Sequence, residues 1–235
     1  MNLLKKYEIF LFDLDGTLLD LDFNSFVSAY YGLLFERASR YMDPLLFKKA
    51  LQAGIEAMKL NDGSKTNKEA FYEAFEHIAG PIDRRLQAFF DEFYQNDFKK
   101  LSSYGRLREE AIRLVSRVRQ AKKKIVLATN PVFPEVAVIE RLKWAGLGPE
   151  LFDLITSFER MRACKPAPIY FKQIMEMIRA DGLPAIMVGD DPILDTGALE
   201  AGIDVLLLDP EGKVKPDPGR PVITVSSLAE IEKML

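Results

Sequence analysis

The chain has 235 residues and a net charge of −3, which suffices for one large domain or for a core domain with a smaller one. Hydrophobic residues make up 48% and charged residues 29%, a globular composition that excludes long disorder. Basic and acidic residues are mixed, so neither a nucleic-acid surface nor a polybasic membrane patch is predicted. A single cysteine and a single histidine exclude an internal disulfide, a thiolate metal cluster and any site with two histidines.

The N-terminal segment does not resemble an export signal. MNLLKKYEIF has no positive stretch followed by a long apolar one, and no small-residue cleavage site. No apolar stretch of the chain reaches transmembrane length. We therefore expect the reducing cytoplasm as the compartment.

An apolar strand opens the regular structure. The run YEIFLFD (7–13) is nearly continuous and predicts a buried parallel strand. Asp13 and Asp15 stand where this run stops. Gly16 lies directly behind them and predicts a sharp turn, so the two carboxylates are expected at the end of a strand.

A helical block follows, from about residue 20 to about residue 102. Four segments of this block show the helical spacing of apolar residues: 23–42, 44–60, 68–79 and 84–94. Proline, glycine and Asn-Asp-Gly breaks separate them, and no strand is predicted among them. We expect an inserted helical domain at 20–102, and a core domain made of 1–19 and 103–235.

Strands alternate with helices after Gly105. Strands are predicted at 124–130, 152–157, 185–191 and 203–209, with 221–225 as one more candidate. Helices are predicted at 108–121, 134–147, 167–182, 193–202 and 227–235. This alternation indicates an α/β fold, in which a Rossmann-like parallel sheet is covered by helices on both faces.

Polar residues stand at the carboxyl ends of these strands, where open parallel sheets bind ligands. They are Asp13, Asp15, Thr129, Asn130, Lys165, Asp190, Asp191 and Asp195. Carboxylates so close together repel one another unless a cation binds. A site that offers only oxygen ligands, with no His or Cys, and that leaves several waters on the ion favours Mg²⁺. A lysine beside that ion makes a pocket for a dianion such as phosphate.

Four motifs carry a family resemblance. DLDGT (13–17), Thr129, Lys165-Pro166 and GDDPILD (189–195) resemble, in this order, the motifs of the haloacid dehalogenase superfamily. The resemblance runs from residue 10 to about residue 209, and the helical block resembles the cap of that superfamily. Many relatives have an acid between the two prolines, where this chain has Ala167.

The resemblance implies a phosphoryl-transfer mechanism. Asp13 would attack phosphorus and form an aspartyl-phosphate. Asp15 would protonate the leaving oxygen and then activate water. Thr129, Asn130 and Lys165 would bind the substrate. Thr129 would hold the phosphoryl oxygens, and Lys165 would offset their negative charge.

The resemblance also implies a metal site. Asp13, the backbone carbonyl of Asp15 and Asp190 would hold Mg²⁺. Asp191 and Asp195 would support the site by orienting Lys165 or the waters of the metal. Either could instead cap the helix that follows.

We expect a Mg²⁺-dependent phosphatase that acts on a small soluble phosphomonoester, as a monomer or homodimer. Dehalogenation at carbon would need neither Mg²⁺ nor the second acid, so the presence of Asp15 disfavours it. A sugar-phosphate mutase stays open, because it shares the core. A phosphonate hydrolase would need a cap lysine, and the candidates are Lys48, Lys49, Lys59, Lys65 and Lys68. A non-catalytic binding protein that keeps the fold is the alternative from another class.

Overall fold

The computed structural model describes residues 2–215 and 222–235. Its main sheet has six strands in the order β5-β4-β1-β6-β7-β8, with all neighbours parallel. These strands are β1 (Ile9–Phe12), β4 (Lys124–Leu127), β5 (Leu154–Ile155), β6 (Ala185–Gly189), β7 (Asp204–Leu208) and β8 (Val222–Val225). The candidate strand at 221–225 is therefore confirmed from Val222 onward, and Pro221 lies outside the described residues.

Strand β1 is buried on both faces, which explains its continuous apolar sequence. Phe10 and Phe12 pack into one apolar cluster, and Ile9 and Leu11 pack into another on the opposite face. The first cluster takes residues from α1 (Leu3–Lys6), α6 (Glu109–Gln120), α7 (Glu135–Trp144) and α9 (Leu228–Met234), and the second from α8 (Pro168–Met177). Helices therefore cover both faces, which confirms the predicted α/β fold.

The strand order places a ligand crevice at the centre of the sheet. The chain runs from β1 to β4 and β5 on one side, and then crosses to β6 on the other side of β1. Such a reversal of direction leaves an open crevice at the carboxyl ends of the strands that flank it. Asp13, Thr129 and Asp190 follow β1, β4 and β6 within two residues, so this crevice is where the predicted polar residues lie.

In residues 23–104, called the cap below, helices are the regular structure that the chain forms. The cap contains α2 (Phe23–Ala38), α3 (Pro44–Lys59), α4 (Asn67–Ala79), α5 (Arg84–Glu92), a π-helical turn (Phe93–Asp97) and a 3₁₀-helix (Phe98–Tyr104). Each α-helix begins at a residue whose side chain accepts a hydrogen bond from the first turn, as N-caps do. The division into two domains at residues 19/20 and 102/103 stays a prediction.

Two local features differ from the sequence prediction. The short strands β2 (Leu19–Leu21) and β3 (Gly105–Leu107) form an antiparallel ribbon where the chain enters and leaves the cap, and the sequence did not predict it. The segment predicted as a helix at 193–202 is a 3₁₀-helix at Asp195–Ala201. Gly197 in this segment lies so close to the core that an added Cβ would sit 2.0 Å from the carbonyl oxygen of Pro166.

Asn67 joins the cap to the core. Its side chain is fully buried, and Nδ2 donates to the carbonyl oxygens of Pro131 at 3.1 Å and Ala163 at 3.2 Å. Its backbone N–H donates to the carbonyl oxygen of Met161 at 2.7 Å. Both side-chain contacts reach core loops, because Pro131 follows Asn130 and Ala163 precedes Lys165 by two residues. The first residue of α4 is thus fixed to two loops that carry predicted site residues.

Replacing Asn67 by alanine is expected to lower the free energy of unfolding by about 2–3 kcal/mol, because two buried carbonyl groups lose their donor. Urea unfolding measures this difference. The matched control is Asn96→Ala, since Asn96 is an exposed asparagine of the cap and its loss should cost less than about 0.5 kcal/mol. An Asn67→Ala variant as stable as this control would contradict the bridging role.

Candidate active site

A cavity of about 380 Å³ lies at the carboxyl ends of β1, β4 and β6, beside the cap. Every site residue predicted from the sequence lines this cavity: Asp13, Asp15, Gly16, Thr129, Asn130, Lys165, Asp190, Asp191 and Asp195. Leu21, Phe23, Val132 and Phe133 add an apolar wall, and Arg141 adds a second cation. The cavity is therefore acidic at the sheet end and apolar towards the cap.

Lys165 lies at the centre of the acidic end. Its Nζ donates to Asp13 Oδ1 at 2.7 Å and to Asp195 Oδ1 at 2.6 Å, and only 5% of the residue is exposed. Burial raises the pKa of Asp13 to about 8, and Lys165 opposes this shift. Burial acts to lower the pKa of Lys165, but the two carboxylates outweigh this effect and raise that pKa above its ordinary value. One cation thus serves two buried carboxylates, which leaves the cluster short of positive charge.

Asp195 also organises the loop after β6. Its Oδ2 accepts hydrogen bonds from the backbone N–H groups of Asp190 at 3.1 Å and Asp191 at 3.0 Å. Asp191 Oδ1 accepts from the backbone N–H groups of Ile193 and Leu194 at 2.8 and 2.9 Å. Of the two roles that the sequence left open, Asp195 therefore orients Lys165, whereas Asp191 caps the turn that follows it.

Thr129 and Asn130 hold the end of β4 against the neighbouring loops. Asn130 Oδ1 accepts from the backbone N–H of Lys165 at 3.2 Å. The carbonyl oxygen of Thr129 accepts from the hydroxyls of Thr156 and Tyr170 at 2.8 and 2.9 Å. These contacts fix the backbone of Thr129 and the side chain of Asn130, and both residues line the cavity.

The model for the haloacid dehalogenase-like hydrolase family matches residues 7–202. The chain belongs to this family. It is also 26% identical over 231 residues to the pyrimidine 5'-nucleotidase PynA of Streptococcus pneumoniae (strain ATCC BAA-255 / R6), over 96% of this chain and 93% of that relative.

Solved haloacid dehalogenase-like structures share the fold. The magnesium-bound hydrolase YfnB from Bacillus subtilis superposes with a TM-score of 0.58 at 23% identity, over 97% of this chain and 98% of that one. The 2-haloacid dehalogenase from Pseudomonas syringae pv. Tomato DC3000 superposes with a TM-score of 0.66 at 18% identity, over 97% of both chains. At these identities the likeness shows the fold, and the chemistry has to be argued from the site.

The acidic end of this haloacid dehalogenase-like site suits a hard cation. Burial raises the pKa of Asp190 to about 6, with Asp195 adding to the shift and Thr17 opposing it. A cation bound beside Asp190 would favour its ionised form and oppose this shift. The described residues include no group of three His, Cys, Asp or Glu side chains set for a metal. The predicted ligand set has only two carboxylate side chains, those of Asp13 and Asp190, with waters completing the shell of Mg²⁺.

Sequence reasoning missed two residues of the site. Thr17 is fully buried and donates from Oγ1 to Asp190 Oδ1 at 3.1 Å. Arg141 on α7 is 1% exposed and donates from Nη1 to Asp15 Oδ2. A signal for Arg141 exists in the sequence, because it shares one helical face with the buried apolar residues Val138 and Leu142.

Replacing Gly16 by alanine is expected to weaken Mg²⁺ binding at least tenfold. An added Cβ would lie 2.1 Å from Asp190 Oδ2, and the φ angle of +87° is one that alanine adopts only with strain. Calorimetric titration of Mg²⁺ measures the effect. Gly182→Ala is the matched control, because Gly182 has a φ of +77° and open space around it. Equal Mg²⁺ affinities in the two variants would show that Asp190 is not a ligand.

A membrane-spanning helix would need a longer apolar stretch than any helix within residues 2–215 and 222–235 provides.

Proposed function

We propose that this haloacid dehalogenase-like hydrolase is a Mg²⁺-dependent phosphohydrolase, which cleaves a small phosphomonoester through an aspartyl-phosphate on Asp13. The observation that carries the proposal is the second acid. Asp15 lines the same cavity as Asp13, two residues further along the chain. Phosphoryl transfer to water needs a group that protonates the leaving oxygen and then activates water, whereas displacement of a halide from carbon needs no such acid.

The first half of the reaction transfers the phosphoryl group to the chain. A carboxylate oxygen of Asp13 forms a bond to phosphorus, and the bond between phosphorus and the ester oxygen breaks. The leaving oxygen takes a proton from the carboxyl group of Asp15. Lys165, 2.7 Å from Asp13, neutralises charge on the phosphoryl oxygens, and Thr129 at the end of β4 hydrogen-bonds to them.

The second half returns the phosphoryl group to water. Asp15, now ionised, takes a proton from a water molecule whose oxygen bonds to phosphorus. The bond between phosphorus and Asp13 breaks, and inorganic phosphate leaves. Splitting one difficult displacement into two easier ones is the advantage of a covalent nucleophile.

Asp13, the carbonyl oxygen of Asp15 and Asp190 would hold the Mg²⁺ ion. When bound, the ion supplies positive charge that screens the dianionic phosphoryl group from the carboxylates. Asp195 keeps the backbone of the Asp190 loop in place through the two N–H bonds described above, and Thr17 orients the Asp190 carboxylate.

The cap lysines bear on the phosphonate hydrolase alternative. That chemistry needs an amine in the cavity to form a Schiff base, and none of Lys48, Lys49, Lys59, Lys65 and Lys68 lines it. Lys65 instead pairs with Glu73 on the cap surface. Among the described residues Lys165 is the lysine of the cavity, and it is committed to Asp13 and Asp195.

Release of inorganic phosphate from a panel of esters tests the proposal. The panel contains pyrimidine and purine nucleoside 5'-monophosphates, because the relative PynA is named as a pyrimidine 5'-nucleotidase, together with phosphoglycolate and sugar phosphates. We expect turnover with Mg²⁺ that falls at least about 1000-fold in EDTA. Halide release from 2-haloacids, or interconversion of sugar phosphates without phosphate release, would replace the proposal by the dehalogenase or mutase alternative.

A further inference from the structure

Phe23 is an exposed aromatic residue in the wall of the active-site cavity. It is the first residue of α2, it is 55% exposed, and it lines the cavity. Every other phenylalanine of the cap contacts another aromatic ring, as Phe26 and Phe98 do at 5.9 Å between centroids. Phe23 contacts no other ring of the described residues, so its ring is available to a bound molecule.

The place of Phe23 distinguishes it from ordinary exposed apolar residues, which need no function when they occur singly. Leu45, Leu60 and Ile193 are also exposed, but they do not line this cavity. The chain just before Phe23 is fixed, because the N–H of Asp22 donates to the carbonyl oxygen of Tyr104 at 3.1 Å. The exposed ring is thus held at the cavity by an ordered start of the cap.

Phe133 links the same apolar wall to the point where the leaving group would depart. It is half-buried and lines the cavity, and its ring packs against Tyr30 at 5.4 Å and Phe98 at 6.1 Å between centroids. Arg141 Cζ lies 4.6 Å from the centroid of Phe133, and the same guanidinium donates to Asp15. The apolar wall therefore begins beside the acid that protonates the leaving oxygen in the proposed function, on which the inference rests.

The cavity offers a leaving group no uncommitted positive charge. Within the described ranges, the cations that line it are Lys165 and Arg141. Lys165 pairs with Asp13 and Asp195, and Arg141 pairs with Asp15. A second negative charge on the substrate, beyond the phosphoryl group, would lie among carboxylates without a counter-ion, which is unfavourable in a partly buried site.

We propose that Phe23 and Phe133 form a subsite for the leaving group, and that this subsite takes an uncharged aromatic group. Aromatic side chains bind such a group by burying apolar area and by stacked or edge-to-face contact. Two kinds of ester carry it: an aryl-alkyl phosphate, such as benzyl phosphate, and a nucleoside 5'-monophosphate, in which the base is the aromatic group. The proposal selects these esters over phosphoglycolate, whose leaving group is charged and not aromatic.

Two matched pairs of esters test the subsite in the wild-type protein. Benzyl phosphate is compared with ethyl phosphate, and uridine 5'-monophosphate with ribose 5-phosphate, so that each pair differs by one aromatic group. We expect kcat/KM to favour the aromatic member of at least one pair by at least about tenfold, mostly through KM. The preferred pair shows whether the group is an aryl ring near the ester oxygen or a nucleobase. A smaller preference in both pairs would overturn the proposal.

Phosphoglycolate tests the charge of the leaving group. It differs from ethyl phosphate by a carboxylate in place of a methyl group. We expect kcat/KM for phosphoglycolate to be no higher than for ethyl phosphate, because both cations of the cavity are already paired. A preference for phosphoglycolate over ethyl phosphate would overturn the proposal.

Variants of Phe23 test whether its ring carries the selectivity. Phe23→Leu keeps an apolar side chain without a ring, and Phe23→Tyr keeps the ring. We expect the ratio of the preferred pair to fall at least about fivefold in Phe23→Leu and to stay within about twofold in Phe23→Tyr. Leu45→Ala is the control, because Leu45 is 61% exposed in the first turn of α3 and does not line the cavity. An unchanged ratio in Phe23→Leu would overturn the proposal.

p-Nitrophenyl phosphate separates this proposal from the proposed function, because its leaving group departs with little help from an acid. Turnover of this ester with Mg²⁺, without selectivity in either pair, would overturn the subsite alone. No turnover of it or of any other ester would overturn the phosphohydrolase function and the subsite with it. Thermal melting of each variant shows whether a changed ratio comes from a folded protein.

Discussion

Replacing Asp13 by asparagine is expected to lower kcat for phosphate release by about 10⁴-fold, or about 5 kcal/mol of transition-state stabilisation. An amide has nearly the shape of the carboxylate, but its oxygen is a poor nucleophile and it cannot form the aspartyl-phosphate. The amide should still accept a hydrogen bond from Lys165, which also keeps its contact with Asp195. The variant is therefore expected to fold.

Asp20→Asn is the matched control for this experiment. Asp20 ends the same stretch of chain, but its side chain is 53% exposed and pairs with Arg108 at 3.4 Å. An exposed pair of this kind contributes little, so kcat should stay within about twofold of the wild type. If Asp13→Asn kept more than a tenth of the wild-type kcat while folded, Asp13 would not be the nucleophile.

Replacing Lys165 by methionine is expected to lower the free energy of unfolding by about 3–5 kcal/mol, because two buried carboxylates lose their cation. Asp195 is 1% exposed and Asp13 is 9% exposed, so water can replace the lost contact at Asp195 hardly at all and at Asp13 only from the cavity. Activity should fall at least about 1000-fold, since the charge beside the phosphoryl group is lost too. Urea unfolding and phosphate release measure the two effects.

The stability loss in Lys165→Met should depend on pH in a defined direction. Burial already raises the pKa of Asp13 to about 8 against the opposing effect of Lys165, and removing the lysine raises it further. Below about pH 8 this carboxyl is protonated in both folded proteins, so their stabilities respond to pH alike. Above it Asp13 ionises beside Lys165 in the wild type, whereas the variant must keep it protonated and loses stability relative to the wild type as pH rises. The penalty should therefore be larger at pH ~9.5 than at pH ~7.

Lys213→Met supplies the control, because Lys213 is an exposed lysine that pairs with Glu211 on the surface. Its loss is expected to cost less than about 0.5 kcal/mol at either pH. A Lys165→Met variant as stable as Lys213→Met would show that the buried pairs with Asp13 and Asp195 do not hold the site together.

Local sequence signals were enough to predict the fold and the meeting of the acids. Each buried strand is a short apolar run that ends in polar residues, as at Asp13 and Asp190, and parallel strands bring such ends to one edge. The order of the four motifs then indicated the family, which the match over residues 7–202 shows. The strands, the acids at their ends and the motifs could all be predicted because each is recognised from residues that lie close together in the sequence.

The features that could not be predicted depend on contacts distant in sequence. Arg141 lies between Glu140 and Lys143 on a helix with charged residues, and its burial results from the cap packing over α7. The β2–β3 ribbon has three residues in each strand. This is too few for the alternation of apolar and polar residues in a strand to be recognised. The choice between two roles for Asp191 and Asp195 needed side-chain geometry, because both residues precede a helical turn.

The central claim is a covalent phosphoryl group on Asp13, and acid quenching of the wild-type protein during turnover with Mg²⁺ tests it most directly. The quenched protein is digested, and the peptide that contains Asp13 is analysed by mass spectrometry. The mechanism predicts a phosphorylated Asp13 that is present with Mg²⁺ and ester, and absent in EDTA or in Asp13→Asn. Phosphate release at full rate with no phosphorylated Asp13, or with the phosphoryl group on another residue, would contradict it.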